Sequence, residues 1–217
     1  MLALVLACFL FALVAPEAAW TSSALVIAMA VTLACALWTS GMRRPHPRRD
    51  TSIATVAIVA AVVNVVPGGA PAAGATAVFA CLLTVAVAVV IGTGVVDQGE
   101  ANRDSIRGAI AIYVLLGLMF MFTYGAVAAL GGGAFFAQGT DGTRALRAYF
   151  SYATLATLGY GDYTAAGSFG HALSVVEALL GQLYLVTVIA LLVSRLQGRK
   201  RSAGADADGH SPLIPPG

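Results

Sequence analysis

The chain has 217 residues, of which 59% are hydrophobic and only 10% charged, and its mean hydropathy is +0.87. Soluble domains carry about 25% charged residues, so a water-solvated globule is excluded. A formal net charge of +2 is too small to point to nucleic acid, and the chain reads as a polytopic, all-α membrane protein.

Taken in order, the apolar runs predict helices over 2–19, 22–39, 51–66, 74–96, 108–130 and 169–196, each close to the roughly 20 residues that cross the bilayer core. Pro16 and Glu17 interrupt the first. That run reads as a span or as an export segment; the basic residues that should precede an export segment are missing, and a span is the expectation. Pro67 ends the third after about 24 Å of helix, short enough that the bilayer must adapt to it. Cys8, Cys35 and Cys81 all lie inside apolar runs without metal-ligand spacing and read as small packing residues.

Orientation follows from the basic residues, which stay on the cytoplasmic side. Arg43, Arg44, Arg48 and Arg49 follow the second run; Arg103 and Arg107 precede the fifth; Arg195, Arg199, Lys200 and Arg201 follow the sixth. Only Arg144 and Arg147 fall on the other face. Six spans with both termini cytoplasmic satisfy the rule, and losing one early helix would move only the N-terminus.

Two parts are visible. Residues 1–107 read as helical hairpins rich in Ala and Val, with no basic residue inside any of their four runs. From Gly108 to residue 197 the pattern becomes a helix, a Gly-rich polar loop from 131 to 147, a short semi-apolar stretch, and a last helix. Residues 198–217, rich in Gly, Ser, Asp and Pro, are expected to be a disordered cytoplasmic tail.

Between the last two runs stands Thr154-Leu155-Ala156-Thr157-Leu158-Gly159-Tyr160-Gly161-Asp162. A potassium ion crosses a bilayer only where oxygens replace its hydration shell, and rings of backbone carbonyls do so without adding charge. Successive carbonyls must then face one way, whereas a strand alternates them. Glycines that accept left-handed angles meet that demand at Gly159 and Gly161.

The stretch resembles the signature of the potassium channel pore family, Thr-x-x-Thr-x-Gly-Tyr-Gly, at every specified position. The resemblance covers 108–196, under half of the chain. It implies a re-entrant pore helix over 148–156, a selectivity filter built from Thr157, Leu158, Gly159, Tyr160 and Gly161, and an inner helix over 169–196. One chain supplies one loop, so it also implies a homotetramer around a shared axis. The carbonyls of residues 157–160 and the Thr157 hydroxyl would bind the permeant potassium ions, with no other cofactor. Thr154, Asp162 and Glu177 would support the filter. Tyr160 would brace it against Tyr149, Phe150 or Tyr152. Ala156 and Ala165 depart from many relatives at positions that supply no filter carbonyl.

Glu177, acidic inside a span, either buttresses the pore helix through Arg147 or backbone groups, or is simply a neutral hydrogen-bonded carboxyl. Gln182 either faces the cavity or bonds a neighbouring helix. Gly181 resembles a hinge glycine of the inner helix, with close helix packing as the alternative. His171, near the outer end, is either a pH sensor or merely solvated. Voltage sensors carry arginines along one helix, and the fourth run has none. The expected activity is passive potassium conduction across the cell membrane, with a weakly selective cation channel or a non-conducting scaffold as alternatives. No run carries the side-chain cluster of an enzyme.

Overall fold

The computed structural model describes residues 1–39, 70–97 and 103–208. Helix α1 spans Leu2–Val14, ending earlier than its apolar run because the residue before a proline avoids helical angles; Ala15 is extended, at φ −67 and ψ 138. Helix α2 follows over Ala19–Thr39. The helix expected over 51–66 and the basic cluster at 43–49 lie outside the described residues.

Helix α3 covers Ala70–Asp97, with Pro71 in its first turn, where a missing N–H is harmless. Helix α4 covers Arg103–Leu130, beginning a turn before the apolar run. Asp104 stands in that first turn, which favours an anion, and pairs with Arg107 at 2.9 Å. The short helix α5 covers Arg144–Leu155. The last, α6, runs over Gly167–Asp208, so the tail expected to be disordered is helical over 198–208.

Among the described residues, three helices are long and apolar enough to cross a membrane, over Ala73–Thr93, Asp104–Leu130 and Gly167–Val188. Two shorter apolar helices, Leu2–Val14 and Trp20–Ala36, accompany them. The 13 residues of α1 extend about 20 Å, less than a hydrocarbon core of about 30 Å.

One apolar core joins both parts of the chain. Val5 and Cys8 of α1, Leu25, Met29 and Leu33 of α2, Leu83 and Val87 of α3, and Leu115 and Leu118 of α4 form a single buried cluster that reaches Ala148 on α5. Small residues let the helices close up: a Cβ on Gly74 would stand 2.7 Å from the Leu130 side chain, and one on Gly117 would stand 2.5 Å from the Tyr152 ring. Helix α5 is thereby wedged between α1 and α4, with Phe9 edge-on to Tyr152 at 4.7 Å between ring centroids. Helix α6 is different. Only Gly170, Glu177 and Gly181 are buried along its first 22 residues, while Val175, Leu179, Leu183 and Val186 stand exposed on the single chain.

Candidate functional site

The site is assembled from the C-terminal end of α5, the segment that follows it, and the loop that precedes α5. Thr143 caps α5 by accepting from the Leu146 N–H at 3.1 Å, a strong helix-start device. The helix therefore begins at Arg144 rather than at 148, and the arginines expected in the loop lie in its first turn. At the other end, Leu158 N–H donates to Ala153 O at 2.8 Å and Thr157 N–H to Thr154 O at 2.9 Å. These bonds hand the chain from helix to filter candidate without a break in pairing. The Thr154 carbonyl is thus one of its anchors.

Gly159 and Gly161 adopt left-handed angles, φ 57 and φ 77, as their residue type allows. Thr157 does so as well, at φ 56, the only non-glycine among the described residues with positive φ. A β-branched residue there is a steric outlier, and such strain gathers at functional sites. Every second residue from 157 to 161 is left-handed, with Leu158 and Tyr160 between them on the ordinary side. That alternation is the backbone condition for consecutive carbonyls to turn to one side. Leu158 and Tyr160 are both more than half exposed.

Tyr160 stacks on Tyr149, with centroids 6.0 Å apart and rings 6° from parallel. Tyr149 also donates its hydroxyl to Asp162 Oδ2 at 2.8 Å. The other two aromatics proposed as braces are engaged elsewhere. Phe150 belongs to a cluster with Tyr124, Phe135 and Phe136, and Tyr152 donates to Val114 O at 2.5 Å.

The loop before α5 is strapped to the segment after the filter candidate. The Gln138 side-chain amide donates to Asp162 O at 2.9 Å and accepts from the Thr164 N–H at 3.4 Å. Ala137 N–H donates to Thr164 O, and Ala166 N–H to Phe135 O. Gln138 escapes sequence reasoning because it sits in a Gly-rich loop with no periodicity.

Behind the filter candidate, Glu177 is fully buried. Its partners are hydroxyls, not Arg147. Ser151 Oγ lies 2.5 Å from Glu177 Oε1 and 2.8 Å from Gly117 O, and Tyr124 donates to Oε2. One carboxyl therefore ties α4, α5 and α6 together. Arg147 donates instead to Asp141 O and Gly142 O, at 3.1 and 2.7 Å. Its guanidinium lies beside Gly125 of α4, where a Cβ would stand 3.4 Å from Nε.

Gly181 is a close-approach position: a Cβ there would come within 2.6 Å of the Leu155 carbonyl oxygen. Helix α6 is continuous through it, so in this conformation the glycine serves packing against the end of α5. Gln182 and His171 are exposed on the single chain. Among the described residues no cluster of His, Cys, Asp and Glu could hold a metal ion through side chains.

Residues 126–198, from the last turns of α4 through the filter candidate and most of α6, match the family model described as ion channel. This match supports ion channel function, and with the apolar helices it marks a membrane protein. No curated protein and no solved structure matches the chain.

Proposed function

We propose that four copies of this chain form a potassium-selective pore, in which residues 157–161 of each copy supply one quarter of the selectivity filter. The observation that carries the reading is the left-handed φ at Thr157, Gly159 and Gly161. It falls within a stretch that fills Thr-x-x-Thr-x-Gly-Tyr-Gly, inside the ion channel match. Backbone of this kind is tolerated at membrane depth only where it lines a wet passage or is buried in protein.

The exposed apolar and aromatic side chains support the same arrangement. Leu158, Tyr160 and the α6 ridge of Val175, Leu179 and Leu183 are exposed on one chain, and symmetry-related copies together with lipid would cover them. Helix α5 would direct its negative C-terminal end at the ion path. The proposal also retains six spans with both termini cytoplasmic, and passive conduction without an enzymatic step.

Reconstitution into liposomes under a potassium gradient tests the reading directly. Potassium flux with preference over sodium is expected, from a particle that runs as a tetramer in mild detergent; a monomer or dimer that conducts would contradict it. Currents in planar bilayers are expected to vary only shallowly with voltage. No Arg or Lys lies within 2–19, 22–39, 51–66 or 74–96 to move through the field. Several elementary gating charges per subunit would count against this.

A further inference from the structure

The turn between α1 and α2 grips the start of α5 through two reciprocal caps. Arg144, the first residue of α5, is buried at 8% exposure. Its guanidinium donates through Nε to Ala12 O at 3.2 Å, through Nη2 to Ala15 O at 3.0 Å and Pro16 O at 3.5 Å, and through Nη1 to Thr21 Oγ1 at 3.2 Å. These acceptors include carbonyls at the C-terminal end of α1, which have lost their helical donors and lie at its negative pole. In return, Glu17 of the same turn accepts from the backbone N–H of Arg144 at 2.7 Å. It places a carboxylate at the positive end of α5. A cation from α5 closes α1, and an anion from the turn closes α5.

We infer that this double cap makes the α1–α2 hairpin a positioning device for the filter, with Arg144 and Glu17 as its positioning residues. The inference rests on the pore reading above. Helix α5 has 12 residues, so it is about 18 Å long, and a tilt of about 3° at Arg144 displaces its far end by about 1 Å. That far end holds the filter, since Ala153 O and Thr154 O receive the Leu158 and Thr157 N–H groups. Functional constellations tolerate displacements of only about 0.5 Å. The grip on α5 is lateral as well as terminal, because Phe9 of α1 packs on Tyr152. This gives the N-terminal helices a task that needs no gating charge: they hold the pore helix at a fixed angle.

The test uses the full chain in liposomes, comparing wild type with Arg144→Met, Glu17→Ala and Glu17→Gln. Potassium and sodium fluxes are measured alongside the tetramer fraction in detergent. Arg144→Met keeps the bulk of the side chain but loses every donor; potassium-over-sodium selectivity is expected to fall about tenfold while tetramers persist. Glu17→Ala, at an exposed residue, should move selectivity in the same direction by a smaller factor. Glu17→Gln, which keeps an acceptor oxygen, should recover part of the loss. If Arg144→Met fails to assemble, the Glu17 pair decides: loss in Glu17→Ala with recovery in Glu17→Gln supports the inference, and unchanged selectivity in Glu17→Ala overturns it. Intact tetramers with wild-type selectivity in both Arg144→Met and Glu17→Ala would likewise overturn it while leaving the pore reading standing. Absence of potassium flux in the wild type would remove the pore reading and this inference together.

Discussion

Gly159→Ala is expected to abolish potassium-over-sodium selectivity, or potassium flux altogether, while the chain still inserts and assembles. The reason lies in the backbone. Gly159 sits at φ 57, yet a Cβ built there meets nothing within 4 Å on the single chain. Local clash is therefore not the penalty; the left-handed angle is, at roughly 1–2 kcal/mol for an L-residue. A ring of four would concentrate about 4–8 kcal/mol of strain at one level of the pore, and the carbonyls would turn to relieve it. Thr157→Ala is the informative contrast. Thr157 already carries a Cβ at φ 56, so alanine adds no backbone strain and removes the hydroxyl, with the γ-methyl, at one end of the filter candidate. It should weaken a single ion site and leave conduction in place. Ion flux assays on the reconstituted variants check both outcomes, and unchanged flux and selectivity in Gly159→Ala would reduce the segment to an ordinary turn.

Glu177→Ala should be the most destabilising single change behind the filter candidate, and Glu177→Gln should be nearly silent. Alanine leaves the Tyr124 hydroxyl without its acceptor and opens a space among three helices. A buried polar group stripped of its partner costs about 1–3 kcal/mol, and the space adds to it, for about 2–4 kcal/mol per chain. Glutamine behaves differently because of how the protons are shared. Ser151 lies within bonding distance of both Gly117 O and Glu177 Oε1, but one hydroxyl has one proton to give. If Ser151 donates to Gly117 O, the group at 177 must donate to Ser151 while accepting from Tyr124. A carboxamide can do both. Thermal unfolding of the purified protein in detergent should therefore show a large drop for alanine and little change for glutamine. Equal melting for both variants would contradict this account.

The long apolar helices and the filter candidate were legible in the chain because each has a local signal. Runs of apolar residues mark α3, α4 and the long apolar part of α6, and the two glycines suit the left-handed backbone they adopt; the first run, read to residue 19, ends as a helix at Val14, before Pro16. The angle at Thr157 was also within reach, since alternation set by residues 159 and 161 extends to 157. What stayed hidden depends on distant partners. Arg144 and Arg147 look like loop residues because charge and polarity dominate there, yet a cap at Thr143 and acceptors on α1 draw Arg144 into a helix. Arg147 is the obvious partner for Glu177 by charge. The carboxyl instead meets two hydroxyls, on Ser151 and Tyr124, that no spacing rule connects. The tail over 198–208 continues the helix despite its polar composition, as propagation from an existing helix is easier than nucleation.

The Arg144–Glu17 contact also sets a schedule for making the protein. The two residues are 127 positions apart, and at about 5–20 residues per second of synthesis Glu17 is joined to the chain roughly 6–25 s before Arg144 exists. During that interval the end of α1 lacks the cation that closes it in the finished fold. The α1–α2 hairpin is thus an unfinished piece until α5 is made. Its final seating waits for Arg144, so folding of the N-terminal helices is completed by the segment that begins α5 rather than before it.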